Sequence, residues 1–355
     1  MLLDLLSDPF GERSPTLARK PLELLGARFR FDSNSPELLS LVDSAYAGLP
    51  HHRLSAEAPD LRVRLLLTPP HEAYESVGGR HSRNRSEPPP LAMLHGAGLL
   101  GGATASSNAV VVSPREGAAL VIVSPQMLRF PYHARYELIE FAVFTLAARA
   151  QRLVPLHAAC VGLDGRGILL MGPSGAGKST VALHCLLNGF DFLSEDSVFV
   201  APDTMLATGV ANFLHVRADS LGWLGRSREA GAIAKSPIIR RRSGVKKFEL
   251  DLRRQRFQLA KSPLKLVGVV FLSPQKAGNG PLLKPLSKSD LRANLALEQA
   301  YGASQPQWRP FNRNISRLAA FELHRGRHPL EAVEALRSLF GHSMRGQARP
   351  RPSPA

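Results

Sequence analysis

Residues 172–180 read Gly-Pro-Ser-Gly-Ala-Gly-Lys-Ser-Thr and fit the phosphate-loop pattern Gly-x-x-x-x-Gly-Lys-Ser/Thr. Gly172, Gly175 and Gly177 permit a tight curl that turns successive backbone N–H groups inward, toward phosphate oxygens. Pro173, Ser174 and Ala176 fill out that curl. A helix opening at Lys178 adds the positive end of its dipole to the same anion. Lys178 offers a mobile cation for β- and γ-phosphates, Ser179 a hydroxyl for Mg²⁺, and Thr180 closes the motif. Seventeen positions after Lys178 stands Glu195-Asp196. A helix and a returning strand fit that gap, so the pair reaches a strand end beside the loop. Carboxylates there can hold Mg²⁺ or accept a proton. The plain alternative is a solvated turn, because Ser194 and Ser197 flank the pair. His157 lies 15 positions before Gly172, on the neighbouring strand. A lone histidine on a strand serves structure more often than catalysis.

Several elements must position these groups. Residues 156–163 and 167–171, separated by Asp164-Gly165, read as two adjacent strands. Residues 178–188 read as a helix stopped by Asn188-Gly189. Residues 190–193 and 198–201 read as short strands around the acidic pair. The apolar run 266–272 has the composition of a central strand covered on both faces. A helix capped by Ser289 runs to Ala300, and 329–340 forms a last helix with Leu330, Val333, Leu336 and Phe340 on one side. Upstream, 61–67 alternates as a half-buried strand does. Residues 109–112 and 118–123 form a hairpin, and the Gly-, Ser-, Arg- and Pro-rich stretch 75–108 reads as a long loop or insertion. Pro131 opens a helical pattern to about Ala150.

His157, the loop and the acidic pair together resemble the kinase domain of bacterial HPr kinase/phosphorylase, in which a His-Gly/Ala segment precedes the loop and an Asp-Asp pair follows it at these intervals. Residues 156–200 also look like the HPr-kinase-related proteins found outside sugar regulation. The resemblance implies an α/β fold: a P-loop kinase domain of the HPr kinase/phosphoenolpyruvate carboxykinase type over 131–341. A smaller strand-containing N-terminal domain over 1–130 and a disordered tail over 342–355 complete the division. It implies ATP and Mg²⁺ as cofactors, with Lys178 and the backbone of 173–179 on the phosphates and Ser179 on the metal. Glu195 falls on the acid that serves as general base toward an acceptor serine, Asp196 falls near the metal, and His157 tunes the base. A carboxylate base is sensible, since it orients the hydroxyl and takes its proton late. Glu195 is one methylene longer than the family's Asp, so Asp196 could instead be the base. The family's Glu-Ile-Arg-Gly stretch has its nearest counterpart in Leu214-His215-Val216-Arg217, with His215 in place of Glu. No match to the family's later arginine-rich phosphorolysis segment is found.

Composition narrows the classes. The chain has 355 residues, a length for about two domains at roughly 150 residues each. At 44% hydrophobic and 21% charged residues, it is neither fully disordered nor collagen-like. Cys160 and Cys185 cannot form a disulfide framework, and no CxxC suggests zinc. The start of the chain lacks a signal-peptide pattern and no run approaches a membrane span, so a soluble cytoplasmic protein is expected. The transporter-ATPase signature LSGGQ is absent, 266–272 ends in Ser273-Pro274 without a carboxylate, and no NKxD-like segment indicates guanine.

The net charge of +16 invites a nucleic-acid reading. Much of it falls in 235–265, which carries eleven basic residues against Glu249 and Asp251. That stretch could be a nucleic-acid surface, a docking face for an acidic protein, peptide or ATP itself, or a solvated loop. Nucleic acid is the least favoured partner. The reading is an ATP-dependent serine kinase acting on a protein or peptide, with homo-oligomer formation open. The alternatives are a nucleotide-binding switch or docking module with weak or lost catalysis, or a small-molecule kinase.

Overall fold

The structure, a computed structural model, describes residues 17–68, 88, 92–96, 98–104, 108–254 and 257–342. The chain divides into two compact units, Met1–Ala47 with Glu57–Gln151, and Gly48–Ala56 with Arg152–Ala355. Both mix helices with sheet.

The first unit is built on seven strands: β1 (Ala18–Leu24), β2 (Ala27–Ser33), β3 (Asp60–Leu67), β4 (Ala92–Gly96), β5 (Leu99–Thr104), β6 (Asn108–Ser113) and β7 (Ala118–Val123). Their spatial order is β1-β2-β3-β7-β6-β5-β4. The alternation expected at 61–67 is realised in β3, with Leu61, Val63 and Leu65 buried. The hairpin expected at 109–123 is β6–β7, with Ser113 opposite Ala118. The stretch 75–108 is not all loop: β4 and β5 pair within it. Its remaining residues, apart from Pro88 and Gly98, and Asn108 at the start of β6, lie outside the described ones. Helix α1 (Pro36–Tyr46) is capped by Ser35 and buries Leu38, Val42, Ala45 and Tyr46. The pattern from Pro131 becomes a π-helical turn, Ala134–Ile139, running into helix α2 (Glu140–Ala150). That helix packs on β3, β6 and β7. The apolar side of α2 is buried on the first sheet, so its contacts place it with the first unit, which ends at Gln151.

The second unit carries β8 (Val154–His157), β9 (Ala159–Leu163), β10 (Arg166–Met171), β11 (Asp191–Ser194), β12 (Ser197–Ala201), β13 (Leu206–Gly209), β17 (Leu264–Lys276), β18 (Leu283–Pro285) and β19 (Ala319–Arg325) in one sheet. A second, small sheet orders β14 (Phe213–Val216), β16 (Lys246–Asp251) and β15 (Ile238–Arg240). The central strand β17 pairs in parallel with β10 on one side and β19 on the other. Its residues Leu266, Val269, Val270, Phe271 and Leu272 are all buried, as expected for cover on both faces. Helices α3 (Lys178–Leu187) and α5 (Pro329–His342) build the core on one face. Helix α4 (Lys288–Glu298), with Phe311 and Ile315, builds the other. Ser287 caps α4, two residues before the expected Ser289, by accepting from Asp290 N–H. On α5, Val333, Leu336 and Phe340 are buried, while Leu330 is exposed.

The stretch expected as one strand, 156–163, is broken at Ala158. Residues before the break pair with β12, and those after it pair with β10 and β11. The strands flanking the acidic pair do not pair with each other: β11 joins β9, and β12 joins β8 and β13. Cys160 and Cys185 are free and buried, and burial pushes both thiols up. No helix of the described residues is long and apolar enough to cross a membrane. Of the tail expected to be disordered over 342–355, His342 ends α5, and residues 343–355 lie outside the described ones.

Candidate active site

Strand β10 delivers the chain to Gly172 in the sheet interior. There the backbone takes φ +130°, and a Cβ would stand 2.6 Å from the Leu272 carbonyl oxygen, so the motif's first position has no room for a side chain. Gly175 and Gly177 also have positive φ, +87° and +104°. Gly177 is the N-cap of α3 and supplies no side-chain acceptor. The first-turn N–H groups of a helix have no partner within it, so this end can receive an anion. Lys178 is buried, and its Nζ donates to the Gly172 carbonyl at 2.5 Å. Burial lowers its pKa, while the negative charge of Asp196 works against that shift.

The turn from β11 to β12 sets the acidic pair beside this loop. Ser179 Oγ donates to Glu195 Oε1 at 2.6 Å. Glu195 Oε2 accepts from the His215 backbone N–H at 2.7 Å and lies 3.0 Å from His215 Nδ1. His215 Nε2 in turn lies 3.2 Å from Glu249 Oε1. His215 and Glu249 are opposite each other in the β14–β16 ladder. The result is a chain, Ser179–Glu195–His215–Glu249, whose last three members are buried. Burial opposes charge on His215, but the two carboxylates outweigh it and hold its pKa up at about 9. Burial likewise opposes charge on Glu195, and the His215 charge and hydrogen bond outweigh it, so its pKa is lowered.

Asp196 stands in different surroundings. Its Oδ1 lies 2.7 Å from His157 Nδ1, and its Oδ2 lies 3.5 Å from an Arg241 nitrogen. Burial raises its pKa, yet the His157 hydrogen bond and the charges of His157 and Arg241 prevail and hold the carboxyl well below the usual range. Its side chain is 21% exposed and that of His157 is 54% exposed, against 4% for Glu195. His157 is held by its backbone: its N–H donates to Gln299 Oε1 at 2.7 Å, and its carbonyl accepts from Gln299 Nε2 at 3.1 Å.

The loop from Ser174 to Thr180, His157, Glu195 and Asp196 line one cavity of about 880 Å³. Every site residue expected from the sequence therefore falls on this cavity or, for Gly172 and Pro173, on the loop leading into it. One pairing differs from expectation. Glu195, not Asp196, is the carboxylate bonded to the Ser179 hydroxyl. Its longer side chain reaches from the turn to the first turn of α3, while Asp196 turns to His157 and Arg241.

Glu249, Arg241 and Lys247 also belong to this site, and nothing in the sequence assigns them an individual role. Arg241 and Lys247 come from the basic stretch and line the cavity. Burial lowers the Lys247 pKa, with Glu195 opposing it. Their only signal in the sequence was charge density. The β14–β16 register that brings Glu249 to His215 leaves no local pattern. Among the described residues no cluster of three or more His, Cys, Asp or Glu side chains is arranged to hold a metal. The Ser179 hydroxyl, held by Glu195, is a single hard oxygen donor on the cavity.

Comparison with known proteins gives little beyond this geometry. No protein-family model matches the chain, and no curated protein matches it. Among solved structures, the HPr(Ser) kinase/phosphatase from Coxiella burnetii is similar at 13% identity and a TM-score of 0.26. The match covers 55% of this chain and 99% of that one.

Proposed function

We propose that this chain is an ATP- and Mg²⁺-dependent kinase that phosphorylates a serine hydroxyl on a protein or peptide. The supporting observation is that the glycine loop, the Ser179–Glu195 hydrogen bond and the Asp196–His157 pair all line one cavity. The loop amides and Lys178 bind the phosphates. Ser179, at the start of α3 with its hydroxyl held by Glu195, is the residue that would hold Mg²⁺. The ion supplies charge neutralisation for the β- and γ-phosphate oxygens when bound.

Asp196 is the base in this reading, and Glu195 is not. Glu195 already accepts three hydrogen bonds and has almost no exposed surface. Asp196 reaches the cavity and stays ionised. It orients the serine hydroxyl and takes its proton as the serine oxygen bonds to the γ-phosphorus. The bond from that phosphorus to the bridging oxygen breaks, and ADP leaves. His157 and Arg241 fix the carboxylate's orientation. The basic residues on the cavity favour an acceptor segment with acidic neighbours.

The test is transfer of label from γ-labelled ATP into a cell lysate by wild type and by Lys178→Ala. A phosphoserine-bearing acceptor labelled only by the wild type supports the reading. Equal labelling by both proteins, or none, refutes it. A binding module without turnover is the second reading, favoured by Lys178 sitting on the loop's own carbonyls. It is distinguished by ATP binding without any labelled product.

A further inference from the structure

The acid pair and phosphate loop use only part of the cavity. We propose that its other part, a right-angled corner formed by Trp223 and His328, holds the base of the nucleotide by stacking. The proposal rests on the nucleotide reading above and adds to it the residues that grip the non-reacting end.

Strand order gives the direction. Strands β11, β10, β17 and β19 all run the same way, β11 and β10 each being antiparallel to β9. Their carboxyl ends therefore open on one side of the sheet, where α/β folds bind ligands. Along the order β11-β9-β10-β17-β19 the acid pair follows β11, the phosphate loop follows β10, and residues 326–328 follow β19. The loop thus stands between them. A nucleotide whose terminal phosphate points toward β11 must direct its ribose and base toward β19. That is two strand spacings from β10, roughly 10 Å.

An aromatic corner waits there. The rings of Trp223 and His328 lie 5.3 Å apart, with planes at 89°. Both line the cavity, and Trp223 is 38% exposed. The corner is fixed in place. His328 Nδ1 accepts from Leu330 N–H, and the His328 backbone N–H donates to Glu331 Oε1, which locks the residue to the start of α5. The His184 ring of α3 packs edge-on to it at 5.8 Å. The short helix Ala218–Leu221, which leads into Trp223, is tied to α3 by a 3.0 Å hydrogen bond between Ser220 and Thr180. A rigid pair of rings at this position offers a planar base one face to stack on and one wall to abut. Stacking reads the flat face that all bases share, so ATP and GTP should bind with similar affinity.

The test exploits the tryptophan count. The chain has two tryptophans, Trp223 and Trp308. Trp308 packs against Phe311 at 5.2 Å. In Trp308→Phe, therefore, Trp223 is the sole tryptophan reporter. With Mg²⁺ present, ATP should change its emission, while inorganic tripolyphosphate should bind, by calorimetry, and leave the emission unchanged. Trp223→Ala in the otherwise native chain should weaken ATP about tenfold and leave tripolyphosphate at wild-type affinity, and Trp223→Phe should retain most ATP affinity. The proposal is overturned if Trp223→Ala binds ATP as the wild type does, or if ATP and tripolyphosphate bind the wild type equally well. Failure of both ligands to bind the wild type would instead overturn the phosphate-loop reading, and this proposal with it.

Discussion

Glu195 and Asp196 are neighbours in the chain, but the fold gives them opposite surroundings, and that contrast organises the site. Glu195 is buried between the Ser179 hydroxyl and the His215 ring, whereas Asp196 shares an edge of the cavity with His157. Removing the Glu195 charge takes from His215 one of the two carboxylates hydrogen-bonded to its ring. Glu195→Gln should therefore destabilise the protein by roughly 3–5 kcal/mol in urea unfolding, the usual cost of breaking a buried ion pair. His215 also makes stability depend on pH. Its folded pKa of about 9 lies above the unfolded histidine value near 6.5, so the native state holds a proton that the unfolded chain releases. Its contribution is complete below about pH 6.5 and is lost as pH rises through about 9. Thermal melts should show Tm falling across that window in the wild type and falling less in His215→Asn. The sequence displayed Glu195, Asp196 and His157 by spacing, but not their pairing. A side chain's partner depends on which strands lie side by side, and 20 residues separate His215 from Glu195.

At the scale of elements, the turn from β11 to β12 is held against β13. A Cβ on Gly209 would stand 2.7 Å from the Ser194 Cβ and 3.0 Å from the Leu193 carbonyl oxygen. Gly209→Ala must therefore push the acid-bearing turn. It should cost about 1–3 kcal/mol, in the manner of overpacking, and should reduce phosphate transfer more than ATP binding. Urea unfolding, calorimetry with ATP and the label-transfer assay check the three parts. The strand–loop–helix around Lys178, the buried strand β17 and the hairpin β6–β7 were legible because each is written in local residue types. The break at Ala158 and the separate partners of β11 and β12 were not, because apolar runs reveal burial without naming neighbours. Strands β4 and β5 were hidden by Gly101, Gly102 and the surrounding turn-forming residues.

For the whole molecule, the same limit explains the boundary between units. The apolar face of α2, with Ala142, Val143, Leu146 and Ala147 buried, announces a core helix. Nothing local says that it covers the first sheet. The charge of +16 was equally ambiguous. The fold sorts part of it, turning Arg241 and Lys247 into the cavity while Arg240 and Lys246 stay exposed. The proposed activity rests on one claim, that Asp196 meets the acceptor while the loop holds the nucleotide. The direct measurement compares Asp196→Asn with wild type for ATP affinity by calorimetry and for label transfer to the acceptor that the wild type marks. The expected result is near-native ATP affinity with transfer reduced roughly a hundredfold or more, the usual share of a general base. Transfer at the wild-type rate by Asp196→Asn would contradict the account.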